Sequence, residues 1–183
     1  MVSLEPPICD FGQKAPNFEL PGIDGQTWSL QQCMGENGLL IMFICNHCPY
    51  VKAVRERITR DTLELNRFGI GSVAIMSNDN LAYPEDSFEN MKRIAVQYSY
   101  SFPYLLDESQ EVAKNYGAVC TPDFFGYNAA YELQYRGRLD ASRKETAPAD
   151  CRRDLFEAMK KVAETGAGPK QQISSIGCSI KWK

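Results

Sequence analysis

Cys45 and Cys48 are separated by two residues, and His47, the chain's single histidine, stands between them. Two thiols at that spacing can carry out disulfide exchange within one chain. One, as thiolate, attacks a disulfide, and the other then displaces the mixed disulfide and closes a ring. An imidazolium beside them favours the thiolate. Seven cysteines are present, at 9, 33, 45, 48, 120, 151 and 178. The number is odd and the other spacings are wide, so a disulfide framework is not implied, and a bridge that forms is expected to be catalytic. Zinc would need two further ligands, and no second C-x-x-C or His-x3-His spacing supplies them, so no metal and no cofactor are expected.

The elements around the motif decide whether those thiols are reactive. Leu39 to Cys45 is continuously apolar, the pattern of a strand buried on both faces. Pro49 follows at once and suits a first helical turn, where its missing N–H is no loss. Val51, Val54, Ile58 and Leu65 then recur at near-helical spacing, which predicts a helix from about Pro49 to Phe68 with Gly69 as its stop. Ile70 to Met76 reads as a second buried strand, so the segment is a βαβ unit with a parallel pair and a right-handed crossover. Both sulfurs then lie near a helix N-terminus, where unpaired amides and the helix dipole lower a thiol pKa. Two inert buried thiols would explain neither the spacing nor the junction.

Elsewhere the chain reads as follows. Phe18–Leu20 and Thr27–Leu30 flank a turn cluster ending in Asp24-Gly25, a hairpin signature. Residues 77–86 are a polar loop, and Phe88, Met91, Ile94, Ala95 and Tyr98 mark a second helix. A short helix is expected over Glu108–Tyr116, then strands over Val119–Asn128 and Tyr131–Arg136, then a last helix from about Pro148 to Glu164. Residues 1–16 read as an irregular lead-in and 166–183 as a tail. With no repeat or low-complexity block, residues 1–183 form a single domain.

Composition sets the outer limits. The chain has 183 residues, 44% hydrophobic and 23% charged, which suits one folded domain and not a disordered chain. Its formal charge of −3 does not suit a general nucleic-acid binder. The longest apolar run is the seven residues of Leu39–Cys45, too short to span a membrane. The first ten residues have neither the basic start nor the apolar stretch of a secretory signal, so a cytoplasmic protein with mainly reduced thiols is expected.

A second motif, Val119-Cys-Thr-Pro-Asp-Phe-Phe125, places a proline at the head of an apolar strand. Cys-x-x-Cys followed by such a Thr-Pro resembles the thioredoxin superfamily. The resemblance implies an α/β, thioredoxin-like three-layer sandwich with a central mixed sheet and an N-terminal β-hairpin extension. It also implies that Pro122 is a cis-proline packed against the dithiol and that the backbone of Thr121 pairs with substrate. Over nearly the whole chain, Phe-Ile-Cys-Asn-His-Cys-Pro-Tyr-Val (43–51), Cys-Thr-Pro-Asp-Phe (120–124) and the terminal Gly-Cys-Ser-Ile-Lys-Trp (177–182) are similar to peroxiredoxin-like thioredoxin family proteins. These stand in the redoxin branch with the alkyl hydroperoxide reductase/thiol-specific antioxidant peroxiredoxins.

Departures from that branch separate two activities. The peroxiredoxin motif proline would fall at Ile41, its threonine at Cys45 and its peroxidatic cysteine at Cys48, and the family's arginine would fall near Cys120-Thr121, where there is none. Peroxide cleavage needs a cation and donors for the leaving hydroxide, so the expected activity is a thiol–disulfide oxidoreductase. Cys45, the more exposed at the strand end, is expected to attack, with Cys48 resolving and His47 tuning the thiolate. A histidine before the second cysteine resembles protein disulfide isomerase and implies a disulfide more oxidising than that of thioredoxin. The alternative is a thiol peroxidase with Cys48 peroxidatic and Cys45 resolving. Partners are a protein or small-molecule disulfide, or peroxide, and an external thiol reductant, with no nucleic acid and no membrane.

Other residues admit two readings. Cys120 and Cys178 are candidate additional redox thiols, the one against Pro122 and the other on a tail that folds back. Their alternatives are a small core residue and an apolar staple. Cys9, Cys33 and Cys151 read as structural. Asp79 and Asp123 are candidate proton relays or simply turn and strand-end residues, and Arg136-Gly-Arg138 reads as a solvated turn.

Overall fold

The computed structural model describes residues 3–183, leaving Met1 and Val2 outside the described residues. Strand β4 (Gly38–Phe43) runs through the centre of a five-stranded sheet and is buried along its whole length. Ahead of it lie β1 (Ser3–Leu4), the hairpin β2 (Glu19–Pro21) and β3 (Thr27–Ser29), and the short helix α1 (Leu30–Cys33). Helix α2 (Pro49–Asn66) leads to β5 (Ile70–Met76), which pairs with β4 in parallel. After them come α3 (Phe88–Gln97), β6 (Tyr104–Leu106), α4 (Glu111–Tyr116), β7 (Cys120–Thr121), β8 (Asp123–Asn128), β9 (Leu133–Arg136), α5 (Asp154–Thr165) and β10 (Gly177–Ser179). The large sheet has the order β6-β5-β4-β8-β9, parallel across β4, β5 and β6 and antiparallel at β8 and β9.

Period two along β4 sorts its side chains between two apolar layers. Leu40, Met42 and Ile44 pack with Val51, Val54, Ile58 and Leu65 of α2, Met91 of α3, and Leu155, Met159 and Val162 of α5. Leu39, Ile41 and Phe43 face the other way, onto Val112 and Tyr116 of α4, Leu30 of α1, and Phe18 and Leu20 of the hairpin. Helices therefore cover both faces, and the fold is the expected thioredoxin-like sandwich with a mixed sheet and an N-terminal hairpin.

Several elements differ from the sequence reading, each for a local reason. The lead-in and the tail are not wholly irregular: β10 pairs with β7 on one side and β1 on the other, making a second, three-stranded sheet. Residues 119–128 are not one strand. Pro122 has no N–H to give a ladder, and the chain divides there into β7 and β8. The strand before the motif stops at Phe43 rather than Cys45, although Ile44 N still donates to Ile75 O at 3.1 Å. The last helix begins at Asp154, not Pro148. Edge strand β6 and helix α1 were not expected at all, being only three and four residues long. Arg136 is no solvated residue: it is buried, its Nη2 donates to Asp123 Oδ2 at 3.0 Å, and its guanidinium lies over the Phe125 ring.

Candidate active site

Proline decides where the helix after the motif can start. The residue before a proline is disfavoured in the helical region, so Cys48 stays extended (φ −62°, ψ 126°) as the N-cap, and Pro49 opens α2. Cys45 lies in the turn between β4 and that cap. Both cysteines are buried, Cys45 at 2% and Cys48 at 0% exposure, so the expected difference in exposure between them is slight.

The Thr121–Pro122 peptide is cis, and Thr121 touches both sulfurs. Its Oγ1 is 3.3 Å from Cys45 Sγ, and its carbonyl oxygen is 3.1 Å from Cys48 Sγ. The Thr121 backbone, expected to pair with substrate, is already paired within the chain: Cys178 of β10 stands opposite it in the antiparallel register. The tail has folded back, and Cys178 Sγ lies 2.9 Å from Cys48 Sγ. Pro122 also borders a cavity of about 210 Å³, together with Tyr50, Val54, Phe124, Arg138 and Ile176. Cys120 points elsewhere, its Sγ 3.6 Å from Pro122 O, and among the described residues it shares no hydrogen bond with the other thiols of the site.

The neighbouring Cys45 and Cys178 thiols and the backbone at Val51 and Cys178 favour the ionised form of Cys48, lowering that thiol to about 5 against the opposing effect of burial. The Thr121 carbonyl accepts from Cys48 only while that thiol keeps its proton, and it too opposes ionisation. Burial pushes the Cys45 thiol well above its ordinary value, and its donation to Cys48 pushes the same way. Burial and the bond to Cys48 likewise raise Cys178, to about 12. The surroundings thus act in opposite directions on the two thiols, lowering Cys48 and raising Cys45, whereas the sequence reading expected Cys45 to be the attacking thiolate.

His47 does not act on the sulfurs by contact. Its Nδ1 is 2.7 Å from Asp86 Oδ2, and its ring stacks on Tyr83 at 5.6 Å between centroids. The bond to Asp86 raises the imidazole pKa, with burial opposing. Burial by itself would push the Asp86 carboxyl up, but His47, Asn78 and the Asn46 N–H hold it below its ordinary value. Asp86 Oδ1 accepts from Asn46 N at 2.7 Å, and Oδ2 also accepts from Asn78 Nδ2 at 2.8 Å. Asn46 is bonded at every polar group. Its amide donates to Glu85 O at 3.1 Å, Tyr104 OH donates to its Oδ1 at 3.1 Å, and Arg55 Nη2 donates to its carbonyl at 2.8 Å. The turn between the cysteines is thus held rigidly from outside.

Asp86, Asn78, Tyr104 and Arg55 were missed by the sequence reading, which weighed Asp79 and Asp123 instead. Asp79 caps its own turn through Leu81 N and Ala82 N, and Asp123 pairs with Arg136. One signal was available for Asp86 and Asn78: they follow the carboxyl end of a parallel strand, where sites of open α/β sheets gather. One donor atom each from Cys45, His47 and Asp86 lies within 4.8 Å of the others, a set that would suit a borderline-soft cation. Both Asp86 oxygens are already taken by N–H donors, however, so this set does not favour a metal.

The AhpC/TSA family profile matches residues 11–142. An uncharacterized conserved protein from Geobacillus kaustophilus is 43% identical, with 100% of this chain and 97% of that one covered and a TM-score of 0.94. A hypothetical protein from Sinorhizobium meliloti is 38% identical over 98% of each chain, with a TM-score of 0.92. An exposed lipoprotein thioredoxin from Streptococcus pneumoniae, at 20% identity, covers 80% of this chain and 99% of its own with a TM-score of 0.59, a likeness of fold. No curated protein matches the chain.

Proposed function

The chain belongs to the AhpC/TSA family, and on that premise we propose that it is a thiol–disulfide oxidoreductase working through the Cys45–Cys48 dithiol. Family and fold together make it a thiol-based redox protein. The observation that carries the finer reading is that Thr121, before the cis-proline, touches the sulfurs of both motif cysteines, with Cys45 Sγ 3.3 Å from its Oγ1 and Cys48 Sγ 3.1 Å from its carbonyl oxygen. Cys48, as thiolate, attacks one sulfur of a substrate disulfide, forms a mixed disulfide and expels the other half as a thiolate. Cys45 gives its proton to that leaving thiolate and attacks Cys48 Sγ, closing the Cys45–Cys48 bond and releasing the second half of the substrate. An external thiol reductant reopens the ring, and a reducing cytoplasm is the setting we assign to it. Because both sulfurs are buried, the reaction needs a local opening around them.

Turnover of 2-hydroxyethyl disulfide with dithiothreitol as reductant tests this reading. The wild type is expected to accelerate the reduction and Cys48→Ser to have lost that activity. Equal turnover by Cys48→Ser overturns the proposal.

A thiol peroxidase with Cys48 peroxidatic is the second reading, favoured by the same low-pKa sulfur at a helix N-terminus. Among the described residues, no arginine donates to Cys48, and heterolysis of a peroxide bond gains most from such a cation. Stopped-flow oxidation by hydrogen peroxide separates the two: a rate like that of a free thiol leaves only the oxidoreductase.

A further inference from the structure

We propose that Cys178 is a third redox thiol of this centre, which resolves mixed disulfides on Cys48 so that strand β10 serves as an internal substrate of the dithiol. The inference rests on the oxidoreductase reading above and adds a residue to it.

Three independent features of β10 support it. Its central residue, Cys178, sits opposite Thr121 in register, and Thr121 is the residue that touches both motif sulfurs. The two sulfurs, 130 positions apart in sequence, are 2.9 Å from one another. Gly177 also allows an approach that no side chain would permit: a Cβ there would lie 2.2 Å from Thr121 O and 2.5 Å from Thr121 C, both backbone atoms that cannot give way.

The strand is also fixed on both sides of the cysteine. β1 pairs with its outer edge, Ser3 opposite Cys178. Beyond it, Lys181 N donates to Asn78 Oδ1 at 2.9 Å, and Asp79 N and Gln110 Nε2 each donate to Lys181 O at 2.8 Å. Asn78 in turn bonds Asp86, so the tail is tied to the network that holds the motif turn.

The chemistry balances with a disulfide as oxidant. The Cys48 thiolate attacks the disulfide, forming one S–S bond and expelling the first thiolate. Cys178 passes its proton to that thiolate, and its sulfur attacks Cys48 Sγ, forming the Cys48–Cys178 bond and expelling the second thiolate. Two protein sulfurs lose two electrons together, and the disulfide gains them. Cys45 can then attack Cys48, giving the Cys45–Cys48 bond while its proton passes to Cys178. Cys48 is thus shared between two partners.

The test uses the full-length protein, 2-hydroxyethyl disulfide as oxidant, acid quench, alkylation of remaining thiols, and mass mapping of tryptic peptides without reduction. In Cys45→Ser, the peptide Gln171–Lys181 carrying Cys178 is expected to be linked to the peptide carrying Cys48, with loss of adduct. In Cys45→Ser/Cys178→Ser, the mercaptoethanol adduct is expected to persist on Cys48. If Cys45→Ser keeps the adduct and its Cys178 remains alkylatable while the wild type closes Cys45–Cys48, Cys178 is a packing residue and only this inference falls. If Cys48 of the wild type never reacts with the disulfide, the oxidoreductase reading falls and takes the inference with it. Cys45→Ala carries the same expectations should the serine variant fail to fold.

Discussion

Asp86 and His47 form an ion pair beside the motif, Oδ2 to Nδ1 at 2.7 Å, and the carboxylate is wholly buried while the imidazole keeps about 15% of its side-chain surface. Its other oxygen holds the Asn46 N–H at the same distance. One carboxylate therefore fixes two successive residues between the cysteines. Asp86→Asn replaces an acceptor with an amide whose NH2 must face donors, and is expected to cost about 2–4 kcal/mol in urea denaturation. The His47 titration, followed by its ring proton resonances, is expected to fall toward 6.5 in that variant. An unchanged His47 titration would show that the pair does not set the imidazole's charge.

The same pair fixes a pH window for stability. His47 is raised above 6.5, so its contribution is complete below 6.5 and is lost as pH rises through the folded value. Asp86 is lowered below 3.8, so its contribution is complete above 3.8 and is lost as pH falls through the folded value. The stability difference between wild type and Asp86→Asn is expected to be greatest between 3.8 and 6.5 and to shrink toward alkaline pH. A difference independent of pH would contradict it.

Absorbance of the reduced protein at 240 nm, about where thiolates absorb, is expected to rise with a midpoint of about 5 and to lose that step in Cys48→Ser. Cys178→Ala removes one donor and should move the midpoint up by about one pH unit, the worth of a single hydrogen bond of about 1.4 kcal/mol. His47→Ala, whose ring is bonded to Asp86 and not to sulfur, should move it less. The opposite order of the two variants would mean that the imidazolium, rather than the thiol donors, holds the thiolate.

Lowering a thiol pKa from 9.0 to about 5 means that the unfolded chain binds more protons across that interval. The stability that Cys48 confers on the reduced protein is therefore expected to be present above 9.0 and to be lost as pH falls through about 5. Urea unfolding of reduced wild type against reduced Cys48→Ser, repeated across the interval, reads it directly. A difference that grows toward acid pH would reverse the sign and with it the assignment of the thiolate.

Gly177→Ala places a methyl group 2.2 Å from the Thr121 carbonyl oxygen, so β10 must move away from β7. The expected cost is about 1–3 kcal/mol. Because the displacement carries Cys178 away from Cys48, the 240 nm midpoint should rise as it does in Cys178→Ala. Loss of stability with an unmoved midpoint would mean that the strand relaxes without breaking the contact.

The order of elements around the motif was legible because it is written in local patterns. Leu39–Phe43 is apolar at every position because both faces of β4 are covered, and Pro49 fixes the helix start by removing an N–H and by forbidding helical geometry at Cys48. The pairing of Cys45, Cys48, Thr121 and Pro122 followed from family resemblance and from a proline at a strand head. What the sequence could not reveal is which sulfur is ionised. That depends on what surrounds each one, and Cys178, whose sulfur lies 2.9 Å from Cys48, arrives from the far end of the chain. Asp86 has no periodicity to mark it in its polar loop, and only its place after the carboxyl end of β5 points to it. Chain sequence set the chemistry available at the strand–helix junction; long-range packing, by bringing β10 and the 77–86 loop against it, set what surrounds each sulfur.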